Sequence, residues 1–131
     1  VIIKPTTYMN LSGNAVKYWL PQEKILLENL LVISDDIDLE PGVLRLKRGG
    51  SGGSHNGLNH IIETLATPEF PRLRFGIGNS FPRGFQSNYV LGEWNKEEKE
   101  FLSTRIERAV EIVLSYVSVG IDQTMNFYNN R

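Results

Sequence analysis

The sequence predicts a three-layer α/β protein, with a mixed β-sheet between helices, and three patterns carry that prediction. Residues 30–34 are a continuous apolar run of strand length, which is typical of a strand covered on both faces. Residues 43–47 and 72–78 mostly alternate apolar with basic side chains, which is typical of strands with one polar face. Between these strands, apolar residues at i, i+3, i+4 and i+7 over residues 58–65 predict an amphipathic helix.

The ends of two helices are predicted from capping residues and prolines. Ser12 belongs to the residue types that cap helix N-termini, and the apolar residues after it predict a short helix that Pro21 ends. The amphipathic helix is predicted to start at His55 and Asn56 and to stop before Pro68. The sequence therefore places a glycine-rich segment directly before a helix N-terminus.

A long C-terminal helix is predicted from residue 95 onward. Asn95, followed three residues later by Glu98, resembles a capping box. An apolar stripe follows and ends near Gly120. Its members are Leu102, Ile106, Ala109, Val113 and Val117. We interpret this helix as scaffold.

Length and composition limit the class of protein. With 131 residues, of which 40% are hydrophobic, the chain is predicted to fold as a single domain over residues 1–131. The sequence contains no cysteine, which excludes disulfides and thiolate metal sites. No apolar run approaches the roughly 20 residues of a membrane span, so a soluble protein that does not contact membranes is expected. A cytoplasmic location is also expected, and the absence of cysteine is compatible with a reducing cytosol.

Positive charge is concentrated in the middle of the chain. The whole sequence has a formal net charge of −1, whereas residues 45–83 carry six basic and two acidic side chains, a net charge of +4. The basic residues, which we call the basic strip, are Arg45, Lys47, Arg48, Arg72, Arg74 and Arg83. If the alternating strands pair, their arginines share one side of the sheet and are candidates for neutralising a few phosphates. A solvated charged face explains the charge equally well.

A glycine-rich loop, residues 49–57, precedes the amphipathic helix. Free backbone N–H groups at a helix N-terminus favour an anion such as phosphate, although the loop does not match a Walker sequence. A flexible loop is the competing interpretation. At the end of the loop, His55 is a candidate base, and the Asn56 amide is suited either to hold a carbonyl or ribose hydroxyl or to act only as an N-cap.

Three aspartates, Asp35, Asp36 and Asp38, follow the apolar strand. Ligands of open α/β sheets bind beyond the carboxyl ends of strands, so the aspartates mark a candidate site. An EF-hand is excluded because Pro41 and Lys47 stand where that loop needs Gly and Glu, and no metal is expected. Two interpretations remain: one carboxylate orients a histidine, as in hydrolytic triads, or the acids serve only turns and caps.

Four segments resemble the bacterial peptidyl-tRNA hydrolase family, in the same order and at similar spacing. They are KPTTYMNLSG at residues 4–13, LLVISDDIDLEPGVLRLKRGGSGGSHNGL at 30–58, FPRLRFGIG at 70–78 and YVLG at 89–92. The resemblance is close over residues 4–92 and loose in the C-terminal helices. It implies hydrolysis of the ester that joins a peptide to the 3′ ribose of tRNA, which recycles tRNA in translation. It also implies that no metal or organic cofactor is needed, and that the complete protein is a monomer.

The resemblance further implies roles for single residues. Asp35 matches the aspartate that orients and stabilises the family's catalytic histidine. Asn10 matches an asparagine that holds the substrate near the scissile ester. Tyr8 matches an aromatic position at the tRNA terminus, and Met9 is expected to line the same cleft.

Other matching positions contact the tRNA. His55 and Asn56 fall in a motif that contacts the tRNA end or the peptide. Arg45, Lys47 and Arg74 fall where family members place basic groups that bind tRNA phosphates, which agrees with the positive charge of residues 45–83.

One departure from the family concerns the general base. The family's catalytic histidine lies upstream of the KPTTYMN motif, and neither His55 nor His60 matches it. We expect His60, inside the amphipathic helix, to face solvent. Water needs a base within hydrogen-bond reach to attack an ester, so this chain alone is expected to be weakly active or inactive. Since Val1 begins directly in a strand-like pattern, we expect the family's N-terminal part, with a central strand, to be missing from this chain.

Two alternative functions are open. The first is a non-catalytic RNA-binding relative of the same fold, although a binder would not need Asn10, Asp35 and Asn56 together. The second is a generic phosphate-binding α/β module that uses the glycine-rich loop. It predicts nucleotide binding without preference for the CCA end of tRNA.

Overall fold

A computed structural model describes residues 1–81, 84 and 86–129 of the chain. The strands in these ranges are β1 (Val32–Asp36), β2 (Leu44–Lys47) and β3 (Arg72–Gly76). The α-helices are α1 (Ser12–Gln22), α2 (Asn56–Leu65), α3 (Gln86–Val90) and α4 (Lys96–Tyr128). Short 3₁₀ helices lie at Met9–Leu11 and Leu27–Asn29. Arg83, a member of the predicted basic strip, lies outside the described residues.

The described strands form one sheet in the order β1-β3-β2. β1 and β3 run parallel, because Val32 N–H donates to the carbonyl of Pro71 at 3.1 Å and Ile77 N–H donates to that of Asp36 at 3.0 Å. Parallel strands need a crossover, and the chain between them contains β2 and α2. The α/β class is therefore confirmed.

β2 runs antiparallel to β3, so the predicted mixed sheet is also confirmed. Gly76 N–H donates to the carbonyl of Val43 at 2.8 Å, and Gly42 N–H donates to that of Gly76 at 2.9 Å, so two residues oppose one in a β-bulge. Pro41 and Gly42 form the turn before the strand, which Val43 N–H closes onto the Glu40 carbonyl at 3.0 Å. Gly42 has φ 81°, the left-handed conformation that a type II turn needs after its proline.

The chain divides into two compact units. Val1–Val32 and Arg48–Arg72 form the first unit, and Ile33–Lys47 and Leu73–Arg131 form the second. In the first unit, α1 packs against α2 around an apolar core. The fully buried members of that core are Leu58, Ile61 and Phe70. That residues 1–131 form a single domain stays a prediction.

Helix α2 forms where the apolar spacing predicted it. Leu58 and Ile61 lie on its buried face. Ala66, in the left-handed conformation at φ 58°, ends the helix, and Thr67 N–H donates to the carbonyl of Ile62 at 3.2 Å. This pair of features is a Schellman-type C-terminus, which satisfies carbonyls of the last turn. The predicted stop before Pro68 is thus confirmed.

Both predicted ends of α1 are wrong. Ser12 is the first helical residue and not the N-cap, and its hydroxyl donates to the Met9 carbonyl at 2.7 Å. Pro21 lies inside the last turn and does not end the helix. A proline there removes a single backbone hydrogen bond, and the next turn still closes because Glu23 N–H donates to the carbonyl of Trp19 at 3.0 Å.

The predicted boundaries of the apolar strand are shifted. β1 starts at Val32, two residues after Leu30, and includes Asp35 and Asp36. Ile33 is 58% exposed, so the expectation that this strand is covered on both faces is wrong. β1 is an edge strand of the described sheet, and its apolar run reflects β-propensity rather than burial at every position.

Helix α4 has the predicted capping box. Asn95 N–H donates to Glu98 Oε1 at 2.9 Å, and Glu98 N–H donates to Asn95 Oδ1 at 2.8 Å. At Gly120 (φ 86°) the backbone leaves the helical conformation, and helix resumes to Tyr128. The predicted start of the helix is therefore confirmed, whereas Gly120, near which the stripe was predicted to end, interrupts the helix without ending it.

The predicted apolar stripe of α4 is only partly correct. Leu102, Ala109 and Val113 are half-buried, whereas Ile106 is exposed and Val117 is 75% exposed. The buried apolar residue of α4 is instead Ile112, at 2% exposure. The residues of the predicted stripe therefore lie beside the face of α4 that packs on β2 and not at the centre of that face.

A side chain just after α4 completes the edge of β2. Leu46 N–H donates to Asn129 Oδ1 at 2.8 Å, and Asn129 Nδ2 donates to the Leu46 carbonyl at 2.9 Å. Also within the second unit, Arg105 Nε donates to the Gly42 carbonyl at 2.7 Å. These bonds fasten α4 and its C-terminus to the strand that carries Arg45 and Lys47.

Candidate functional site

Five predicted substrate-binding residues lie on two neighbouring segments of the first unit. Tyr8, Met9 and Asn10 lie on what we call the Asn10 turn, residues 8–11, which includes the 3₁₀ helix Met9–Leu11. The side chains of the turn are exposed, and Tyr8 is 82% exposed. The turn contacts α2, the helix that starts with Asn56.

The two segments meet at Gly57. A Cβ atom placed on Gly57 would lie 2.6 Å from Met9 Sδ, 2.9 Å from His55 Cε1 and 3.1 Å from Ser12 Oγ. Cβ atoms essentially never lie within 3.0 Å of another heavy atom, so glycine is what allows Met9 Sδ and His55 Cε1 to come this close at the start of α2. The structure thus brings the Asn10 turn and the His55-Asn56 motif together.

The N-cap of α2 is His55, so the interpretation of Asn56 as the cap is wrong. His55 Nδ1 accepts a hydrogen bond from Leu58 N–H at 3.0 Å. Asn56 is the first helical residue, and its side chain is exposed. An imidazole that accepts at Nδ1 carries its proton on Nε2, so in this arrangement His55 has no lone pair left to act as a base. The side-chain amide of Asn56, in contrast, does not cap the helix.

The glycine-rich loop is folded against the segment after α2. Gly50 N–H donates to the carbonyl of Pro68 at 3.1 Å, and His55 N–H donates to that of Gly52 at 3.0 Å. A Cβ atom on Gly49 would lie 2.9 Å from the Pro68 carbonyl oxygen. These contacts favour an ordered loop over a flexible one.

Arg72, one of the predicted basic strip, is buried and bound to the first unit. It is 1% exposed, its Nη2 donates to the Pro68 carbonyl at 2.6 Å, and its Nη1 donates to that of Ser51 at 3.4 Å. The guanidinium also lies 4.3 Å from the centre of the Phe70 ring. The expectation that Arg72 contributes to a phosphate-binding face is therefore wrong, because strict alternation fails at the start of β3, where Leu73 is buried too.

His60 does not face solvent as predicted. It is half-buried, and its Nδ1 accepts a hydrogen bond from Gly13 N–H, at the start of α1, at 2.9 Å. A Cβ atom on Gly13 would lie 2.7 Å from the His60 carbonyl oxygen and 2.4 Å from Thr64 Oγ1. Helical periodicity alone did not reveal this contact, because its donor lies 47 residues earlier in the chain.

The aspartate cluster in the second unit serves more than one purpose. Asp36 Oδ1 accepts from Asp38 N–H at 2.8 Å, and its Oδ2 pairs with Arg74 Nη1 at 3.1 Å. For Asp36, the turn-forming interpretation is therefore correct. Asp35, the predicted partner of the family's histidine, lies half-buried in β1.

The three predicted phosphate-binding residues differ in how free their charges are. Lys47, at the end of β2, is exposed. Arg45 is half-buried and donates from Nη1 to the Leu44 carbonyl at 2.9 Å. The ion pair with Asp36 offsets part of the charge of Arg74. Lys47 therefore offers the most accessible positive charge of the three.

Side chains that could bind a metal ion do not cluster in the described part of the chain. Residues 1–81, 84 and 86–129 hold no group of three or more His, Cys, Asp or Glu side chains that could bind a metal ion. Within the same ranges, no helix is both long and apolar enough to cross a membrane.

The geometry of the first unit suits recognition of a polar ligand. Asn10 and Asn56 each offer an amide that both donates and accepts, on segments that contact each other. The exposed ring of Tyr8 offers a stacking surface next to them. That the Asp35 carboxylate faces these amides across a shared crevice stays a prediction, as do the roles of the individual residues.

Comparison with known proteins identifies the family. The family model described as peptidyl-tRNA hydrolase matches residues 1–131. The peptidyl-tRNA hydrolase of Azobacteroides pseudotrichonymphae is 58% identical over 128 residues, which cover 98% of this chain and 69% of that relative. That of Phocaeicola vulgatus is 51% identical over 131 residues, which cover 100% of this chain and 70% of the relative.

A solved structure agrees with the sequence comparisons. The crystal structure of peptidyl-tRNA hydrolase from Acinetobacter baumannii matches with a TM-score of 0.86 at 38% identity, over 95% of this chain. This chain spans 63% of the length of that solved chain, which is less than two thirds. The fold and the resemblance inferred from the sequence are both confirmed, and the chain belongs to the peptidyl-tRNA hydrolase family.

Proposed function

We propose that this chain acts in the hydrolysis of peptidyl-tRNA, cleaving the ester between the peptide and the 3′ ribose by attack of a base-activated water. One observation carries the proposal. The family model covers residues 1–131, and in the first unit the Asn10 turn contacts α2, so two of the family-like segments, the Asn10 turn and the His55-Asn56 motif, share one surface.

The substrate-binding roles go to the first unit. The Asn10 amide holds the substrate near the ester, and the Asn56 amide contacts the ribose or the peptide. Tyr8 stacks on the terminal base, while Met9 and His55 line the same surface. The backbone contact between the turn and α2 keeps the two asparagines on neighbouring segments, from which their amides reach the ester oxygen and stabilise charge on it.

Neither His55 nor His60 supplies the general base of the proposed mechanism. Each of these rings uses its Nδ1 lone pair to accept a backbone N–H, so neither has a free lone pair with which to take a proton from water. We therefore assign the base to a histidine outside residues 1–131, which the resemblance places upstream of the KPTTYMN motif. Asp35 orients that histidine and stabilises its protonated form.

The tRNA phosphates are assigned to the second unit. Lys47 is the leading contact because its charge is exposed. Arg45 and Arg74 assist, although phosphate must compete with Asp36 for the guanidinium of Arg74. A few contacts of this kind give modest affinity that weakens steeply with salt. A monomeric state and a cytoplasmic location complete the proposal as predictions.

The proposal is tested on the full-length polypeptide that the gene encodes. Its hydrolysis of N-acetylphenylalanyl-tRNA is compared with that of residues 1–131 alone, which we expect to bind the tRNA while turning it over weakly or not at all. Binding of tRNA by the full-length polypeptide without release of N-acetylphenylalanine would favour a non-catalytic RNA-binding protein. Displacement of a CCA-ended RNA by ATP at equal concentration would favour a generic phosphate-binding module.

A further inference from the structure

We propose that His60 is a positioning residue, which fixes the Asn10 turn relative to the start of α2 by holding the Gly13 amide. The inference rests on the proposed function, in which Asn10 and Asn56 contact the same substrate. It concerns a residue that matches none of the motifs by which the chain resembles its family.

The start of α1 depends on His60 for a hydrogen bond that its own sequence does not provide. The first N–H groups of a helix have no partner inside the helix, and a side chain at the N-cap normally accepts from one of them. The N-cap of α1 is Leu11, which has no side-chain acceptor, and the Ser12 hydroxyl is turned back to the Met9 carbonyl. His60 Nδ1, from the neighbouring helix, accepts the Gly13 N–H instead at 2.9 Å.

This hydrogen bond ties together the two segments that carry the proposed substrate amides. Gly13 follows Asn10 by three residues, and His60 follows Asn56 by four, one turn along α2. The Gly13 backbone approaches α2 so closely that no Cβ is tolerated there. The contact of Met9 with Gly57 is a second tie on the same pair of segments. Two ties at different points fix both the distance and the angle of the turn.

The acceptor must stand at a defined distance along the side chain. Asparagine places its Oδ1 at the same number of bonds from the backbone as histidine places Nδ1, so His60→Asn keeps an acceptor for Gly13. Glutamine places its amide one bond further out, so His60→Gln keeps polarity and size but loses that acceptor. These two variants form a matched pair that differs by one methylene group and therefore in how far the amide oxygen lies from the backbone.

The experiment measures structure and binding in the same samples of the full-length polypeptide. Exchange of the Gly13 amide hydrogen, followed by NMR, reports the hydrogen bond. Binding is measured with an RNA hairpin that ends in CCA and carries N-acetylphenylalanine on its 3′ ribose through an amide in place of the ester. We expect His60→Gln to speed Gly13 exchange and to weaken binding about 3–10-fold, the effect of one hydrogen bond of ordinary net strength, and His60→Asn to stay within about 2-fold.

A destabilised control separates positioning from general loss of stability. Leu65→Ala removes a side chain that packs on the core of the first unit, at the far end of α2. If Leu65→Ala weakens binding as much as His60→Gln at equal loss of stability, the positioning role is refuted. Unchanged affinity in His60→Gln, with the unmodified protein binding the hairpin, refutes it as well. Failure of the unmodified protein to bind would instead overturn the proposed function, and this inference with it.

Discussion

His55 and His60 show how single residues near the proposed site are committed to the fold. Each accepts a backbone N–H at Nδ1, His55 within its own helix and His60 from the start of α1. His55, at the end of the glycine-rich loop, is a candidate base by its position, but its Nδ1 lone pair already accepts a backbone N–H. The exposed amides of Asn10 and Asn56 are the groups left to meet a substrate.

Gly57 is the residue at which we expect the smallest change to have a specific effect. In Gly57→Ala the new methyl group displaces Met9, at a cost of about 1–3 kcal/mol for overpacking, offset by up to about 1 kcal/mol of helix propensity. Urea denaturation should show a net loss of stability, and binding of the CCA-ended hairpin should weaken because Met9 and the Asn10 turn move. Glu63→Ala, on the exposed side of α2, should change neither quantity. Gly57→Ala with unchanged stability and affinity would contradict the close contact.

At the scale of elements, the spacing of apolar residues and the helix-capping residues predicted much of the fold. The spacing of Leu58 and Ile61 gave α2, and Asn95 with Glu98 gave the start of α4, because these signals lie within one or two helical turns. Contacts between distant parts of the chain could not be predicted from these local patterns. Nothing local to Arg72 indicates burial, and nothing local to Asn129 indicates a bond to a strand 83 residues away.

The same limit applies to the candidate site. The motifs identified which residues belong to it, but not which of them are engaged by the fold. Asp36 pairs with Arg74 because β1 and β3 are neighbours in the sheet, a fact that the order of elements along the chain does not reveal. The prediction that His60 faces solvent was wrong because its partner is a backbone amide, a group that every residue except proline has.

At the scale of elements, we predict that Asn129 stabilises the attachment of the end of α4 to β2. Asn129→Ala removes two hydrogen bonds and leaves the N–H and carbonyl of Leu46, a residue with 2% exposure, without these partners. We expect the free energy of unfolding to fall by about 2–3 kcal/mol, with faster amide exchange at Leu46. Asn126→Ala, at an exposed position of α4, is the matched control and should be nearly neutral. Equal stability of the two variants would show that the β2 edge does not depend on Asn129.

At the scale of the whole molecule, a nearly neutral chain is proposed to bind a polyanion. The net charge of −1 gives no general attraction to RNA, so affinity must come from local groups such as Lys47. Fewer residues of the basic strip are available to phosphate than the sequence predicted, because Arg72 is buried and Arg74 is paired with Asp36. In the proposed function, a small number of phosphate contacts would allow release of the tRNA after cleavage.

Salt dependence tests this account of tRNA binding. We expect Lys47→Ala to weaken binding of tRNA and to reduce the slope of log K against log salt concentration by about 1, the effect of one lost phosphate contact. Lys99→Ala, which removes an equal charge from an exposed position of α4, should leave the slope unchanged. An equal change of slope in both variants would mean that only total charge matters.

Turnover by Asp35→Asn is the most direct measure of the proposed mechanism. The substitution preserves the size of the side chain and removes the charge that stabilises a protonated histidine. In the full-length polypeptide under single-turnover conditions, we expect cleavage of N-acetylphenylalanyl-tRNA to slow by about 10²–10⁴-fold while tRNA affinity changes by no more than about 2-fold. Cleavage at the unmodified rate would remove Asp35 from the mechanism and contradict the account.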